Sequence, residues 1–112
     1  MPPIAARVLT LTASGTRVHI GVSIFAPVKT AEGSWGCRYI VSWPDQPSDR
    51  TVYGFDSIQA VVHALQSIGA EIYTSNYHKA GQLSWDPPHK GYGFPVVPTF
   101  RNLLVGEDAR HL

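Results

Sequence analysis

Five histidines (His19, His63, His78, His89 and His111) and a single cysteine, Cys37, are the side chains from which metal or nucleophilic chemistry would be built in this chain of 112 residues. Paired metal ligands on a helix or finger stand about three to five residues apart, and no two of these histidines do. No metal site is assigned. One cysteine excludes an intrachain disulfide and a thiolate zinc site. As a nucleophile it would need a histidine base and a depressed pKa. Its setting among Trp35, Tyr39 and Trp43 is instead that of a packed side chain, since free cysteine is among the most buried residue types. No Gly-x-Ser-x-Gly elbow is present. Gly91-Tyr92-Gly93 is not followed by a helix pattern, so it does not read as a phosphate loop. No catalytic residue and no cofactor is assigned.

The segment 73–94 differs in kind. It gathers Tyr73, Tyr77, His78, Lys79, Trp85, Asp86, His89, Tyr92 and Phe94, largely without regular period. Aromatic side chains in loops are frequent anchors at binding surfaces. The candidate binding residues are therefore Tyr77, His78, Lys79, Trp85 and Tyr92, with Arg38. In a cleft between a helix end and the Gly91–Pro95 loop, His78 would serve as acid or base and Lys79 would bind an anion. Tyr77, Trp85 and Tyr92 would form the walls. The alternative is structural: the same aromatics fold back and cap the open face or end of a sheet.

The elements that would position these residues are legible from periodicity. Arg7–Thr12 is rich in β-branched and aliphatic residues, and Ala13-Ser14-Gly15-Thr16 supplies a turn. Val18, Ile20, Val22 and Ile24 alternate with Arg17, His19, Gly21 and Ser23, the mark of a half-buried strand. Residues 26–34 read as a loop. Trp35–Trp43 sets Trp35, Cys37, Tyr39, Val41 and Trp43 on one face, and a short strand resumes at Arg50–Gly54. The period then changes. Asp56 is a good N-cap, with Gln59 placed to close a capping box, and a helix is expected from about Ser57 to Tyr73. Its stripe is Ile58, Val61, Val62, Leu65, Ile68 and Ile72, interrupted by Gly69, where a strand is expected to approach closely. Leu83–Trp85 reads as a short strand, and Asp86-Pro87-Pro88-His89-Lys90 as extended chain. The fold class is α+β: a four-stranded antiparallel meander with one amphipathic helix on one face and a loop-rich C-terminal segment. Residues 1–98 form one domain, and 99–112 a tail, docked or flexible.

Composition narrows the function classes. Hydrophobic residues make up 44%, which is ordinary, but charged residues only 15%, against about 25% in typical soluble chains. Disorder needs the opposite balance. A charge-poor surface points to a protein partner, a second copy of the chain, or loops that cover one another. The net charge is +1 and the basic residues are scattered among the acids, so nucleic-acid binding is disfavoured. Neither a signal-peptide core nor an apolar run of about 20 residues is present. A cytoplasmic protein with no membrane association is expected.

Trp35-Gly36-Cys37-Arg38-Tyr39, Tyr53-Gly54 through Asp56-Ser57-Ile58-Gln59-Ala60, Ile68-Gly69-Ala70-Glu71-Ile72-Tyr73, Tyr77-His78-Lys79-Ala80-Gly81 and Gly91-Tyr92-Gly93-Phe94-Pro95 together resemble a family of small bacterial proteins classed as a domain of unknown function. The likeness covers about residues 33–95. It implies a bacterial source and a stand-alone domain, and carries no activity across. The reading favoured by the residues is a non-catalytic protein-binding or interaction module. The alternative is a small enzyme or small-molecule binder using the cleft near His78, Lys79 and the Gly91–Pro95 loop.

Overall fold

Alternating apolar residues build the sheet. In the computed structural model, which describes residues 1–86 and 90–112 apart from the side chain of Arg101, β1 (Ala5–Ala13) pairs antiparallel with β2 (Thr16–Ile24), from Ala5↔Ile24 to Ala13↔Thr16. The two-residue turn between them, Ser14-Gly15, has positive φ at both positions, the form whose twist suits a hairpin. β4 (Trp35–Val41) carries β5 (Ser48–Gly54) along one edge. Its other edge takes β2 and then the short β3 (Val28–Lys29). A final short strand, β6 (Leu83–Ser84), joins the free edge of β1.

Among the described residues the sheet is six-stranded and antiparallel, where a four-stranded meander was expected. The meander β1-β2-β4-β5 is intact within it. Beyond the meander, β6 falls within the short strand read at Leu83–Trp85, and its place on the edge of β1 is new; β3 lies inside the stretch read as a loop and, at two residues, is too short to show a period.

One face of this sheet is the core. Leu9 and Leu11, Ile20, Val22 and Ile24, and Cys37, Tyr39 and Val41 all point into it. Over them lies α1 (Ser57–Thr74), N-capped by Asp56, whose carboxylate accepts from the Gln59 amide at 2.7 Å. Gln59 reaches back one residue beyond the cap and accepts from the Phe55 amide at 2.7 Å.

The buried side of α1 is rotated from the expected stripe. Ala60, Ala64, Ile68, Gly69, Ile72 and Tyr73 are buried, whereas Ile58 and Val62 face outward. The cause is close packing. At Gly54, a Cβ would stand 2.5 Å from the Ala60 amide nitrogen, so helix and strand touch through their smallest residues. A pattern read from large aliphatics alone misses an alanine face. Gly69 does mark a close approach, but its neighbour is not a strand: a Cβ there would run into the Pro95 carbonyl oxygen.

The C-terminal third packs on the same side as α1. Phe94 borders a small cavity with Val22, Ile24, Leu65 and Ile68, and Trp85 covers Arg7, which shares the inward parity of Leu9 and Leu11. These aromatics do not cap the open sheet face, where Val8, Arg17, His19, Arg38 and Thr51 remain exposed. A short helix α2 (Asn76–Lys79), a 3-10 turn (Pro98–Leu103) and α3 (Gly106–His111) complete the chain. Among the described residues no helix is long and apolar enough to cross a membrane. The expectation for Pro87, Pro88 and His89 lies outside the described residues.

Candidate functional site

The last turn of α1 aims Tyr73 inward, and α3 brings Asp108 to meet it. Asp108 is 3% exposed and is the buried charged side chain of the described core. Its carboxylate accepts from the Tyr73 hydroxyl at 2.5 Å, from the Tyr92 amide at 2.8 Å and from the Gly93 amide at 2.9 Å. The loop can present both amides because Gly91 and Gly93 have φ of 92° and 77°, leaving successive N–H groups turned to one side as a small anion nest. Gly91 must also lack a side chain, since a Cβ would stand 2.6 Å from the Asp108 carboxyl carbon.

A shell of rings and one cation surrounds this carboxylate. Ser75 ends α1 and its hydroxyl accepts from the His78 amide at 3.1 Å, which fixes α2 and turns His78 toward the loop. His78 Nδ1 lies 2.6 Å from the Tyr92 hydroxyl. The rings of Tyr73, His78 and Tyr92 meet edge to face, with centroids 4.9–5.4 Å apart. Arg7 donates to the Tyr92 carbonyl at 2.9 Å and lies 4.0 Å from the centroid of Trp85 and 4.8 Å from that of Phe94.

Burial governs how the groups around Asp108 titrate. Burial pushes the Tyr92 phenol up to about 12, with the charge of Asp108 adding to the effect. Tyr73 is pushed higher still by burial and by its hydrogen bond to Asp108. Burial lowers His78 below the usual histidine range, so the imidazole is neutral near pH 7. Both phenols therefore stay protonated, and Tyr73 donates to the carboxylate. Arg7 is lowered by burial, an effect Asp108 opposes.

The six candidate residues do not converge. His78 and Tyr92 come together. Trp85 stands beside them, with Arg7 lying over its ring. Tyr77 turns away, stacking on Trp43 with centroids 5.3 Å apart and donating to Asp45 at 2.9 Å. It borders a polar cavity of about 730 Å³ that also includes Arg50 and Glu71. The Glu71 carboxylate is engaged by Tyr39 at 2.7 Å and by the Trp43 indole at 3.2 Å. Lys79 is exposed at the end of α2. Arg38 is on the opposite face of the sheet, paired with Asp49 at 2.6 Å and lying over Phe25, and so cannot share a cleft with His78. Its strand position alternates with Cys37 and Tyr39, which point into the core.

Sequence reasoning missed Tyr73, Arg7 and Asp108 as members of this cluster. Arg7 carried a signal, since its parity with Leu9 and Leu11 turns it inward. Asp108, in a polar tail, carried none.

A second feature lies at the start of α1. Phe55 is 90% exposed, Ile58 73% and Val62 42%. Phe55 holds the position from which a hydrophobic staple would fold back onto the helix, yet it stands free in solvent.

A family model described as Domain of unknown function (DUF6968) matches residues 5–96. The chain belongs to this family. The DUF6968 match begins at β1, so it takes in the N-terminal hairpin that the resemblance over residues 33–95 left out. It contains Arg7, Tyr73, Gly91, Tyr92 and Gly93, and stops short of Asp108. No curated protein and no solved structure matches the chain.

Proposed function

We propose that this DUF6968 chain is a non-catalytic protein-interaction module, and that it docks through the outer face of α1 onto a second copy of itself. The observation that carries the reading is the exposure of Ile58 and Val62, with Phe55 just before them, at a helix with no Asp, Glu, Lys or Arg from Ser57 to Ala70. A helix meant only for water carries charge opposite its buried stripe. The open sheet face does, with Arg17, Arg38 and Asp49 among Thr10, His19 and Thr51. Val8 and Tyr53 are exposed on that face too, but they stand among charges, as on a solvated sheet. A face without charge has nothing to repel its own copy, and a two-fold axis brings the same patch to both partners.

Three apolar side chains per copy make a small interface, so the expected affinity is micromolar or weaker. A reducing cytoplasm in a bacterium suits this reading, given the single, buried Cys37. An enzyme using His78 has less support, because its Nδ1 is engaged by the Tyr92 hydroxyl and the neighbouring Tyr73 hydroxyl is engaged by Asp108. Light scattering over a concentration series is the test. A mass climbing toward twice 12.2 kDa supports the reading, and one fixed at 12.2 kDa up to millimolar protein overturns it.

A further inference from the structure

The Asp108 carboxylate is held by a set of donors that all belong to another part of the chain. Tyr73 closes α1, and Tyr92 and Gly93 belong to the loop that follows β6. Arg7, in β1, acts on Asp108 through its charge and gives its own hydrogen bond to the Tyr92 carbonyl. All of these lie within the family match at residues 5–96, and the carboxylate comes from outside it.

We propose that Tyr73 and the Gly91-Tyr92-Gly93 nest form a receptor for the side-chain carboxylate of an acidic peptide segment, and that Asp108 occupies it here as a tethered, displaceable ligand.

The dimensions select a carboxylate. One oxygen takes the Tyr73 hydroxyl and the Tyr92 amide, the other takes the Gly93 amide, and Gly91 presses against the carboxyl carbon. Arg7 supplies a single positive charge, matching one negative charge. Among the described residues, the remaining ties of the 98–112 segment are few. Among the described residues its backbone reaches the rest of the chain through Phe100 N to the Val97 carbonyl at 2.8 Å, Val105 N to the Tyr73 hydroxyl at 3.4 Å and Glu107 N to the Lys90 carbonyl at 3.2 Å. Leu104 is its buried apolar anchor, and Leu112 packs half-buried against the core. An incoming segment with an apolar residue four positions before an aspartate would reproduce both contacts. This receptor lies apart from the outer face of α1, so its failure would leave the docking proposal standing.

Native-state hydrogen exchange on the intact chain is the first test. If the tether opens, the Tyr92 and Gly93 amides exchange about a hundredfold or more faster than those of Leu9 and Ile20 in the core. Exchange of both pairs at the same rate, through global unfolding, overturns displaceability. The second test uses full-length Asp108→Ala and a C-terminally amidated peptide of residues 98–112. The peptide should bind, and its Asp108→Asn version should bind at least about tenfold more weakly, the loss of a charge-assisted contact. A folded Asp108→Ala chain that binds neither peptide overturns the proposal, as does a variant that cannot fold without the carboxylate. Binding restored to the Asn peptide by a free C-terminus overturns the side-chain assignment in favour of a chain terminus.

Discussion

The hydroxyl of Tyr73 donates to the carboxylate of Asp108 across 2.5 Å, joining residues 35 positions apart and fastening α3 to the end of α1. The contact is buried, and the same hydroxyl receives the Val105 amide. Removing it alone, by Tyr73→Phe, leaves the ring packing intact but takes a donor from a buried carboxylate. The expected loss is about 1.5–3 kcal/mol, read from urea unfolding. An unchanged midpoint would show that the bond contributes nothing to the fold.

Alkaline pH attacks the same cluster. An unfolded tyrosine ionises near 10, while Tyr92 in the fold ionises at about 12 and Tyr73 and Tyr39 are shifted in the same direction. A raised folded-state pKa means that the unfolded chain gives up its protons first. Stability is thus full below pH 10 and falls as pH climbs toward 12, by on the order of 2–3 kcal/mol for Tyr92 alone. Denaturant midpoints across this range, taken with tyrosinate absorbance, check it. Phenols that ionise near 10 with no change in stability would contradict the burial argument.

Gly69 offers a test in which sign matters more than size. At an open helix position, Gly→Ala gains about 1 kcal/mol from propensity. Here the added methyl meets the Pro95 carbonyl, so Gly69→Ala is expected to lose about 1–3 kcal/mol instead. A rise in the thermal midpoint would mean that the chain around Pro95 yields without cost.

Much of the frame was legible in the sequence because it is periodic. The alternation of Val18, Ile20, Val22 and Ile24, and of Cys37, Tyr39 and Val41, placed the core face. Asp56 and Gln59 placed the start of α1. What failed was whatever had no period or depended on small residues. The two-residue strand β3 is too short to alternate, and Ala60 and Ala64 form a contact face that a search for large aliphatics passes over. At the candidate site, His78 and Tyr92 were found because aromatic loops stand out in a sequence. Arg38 was grouped with them although its alternation with Cys37 and Tyr39 already assigned it to the other face. Asp108 depends on a tertiary contact between α3 and a glycine loop, which spacing along the chain does not encode.

Sedimentation velocity on Ile58→Glu beside Val8→Glu tests the docking face most directly. Both side chains are exposed, at 73% and 55%, so neither change is expected to alter stability by more than about 0.5 kcal/mol. The account predicts that the wild type and Val8→Glu self-associate alike while Ile58→Glu sediments as a monomer at every concentration. A dimer that survives Ile58→Glu but is lost with Val8→Glu would move the interface to the open sheet and contradict it.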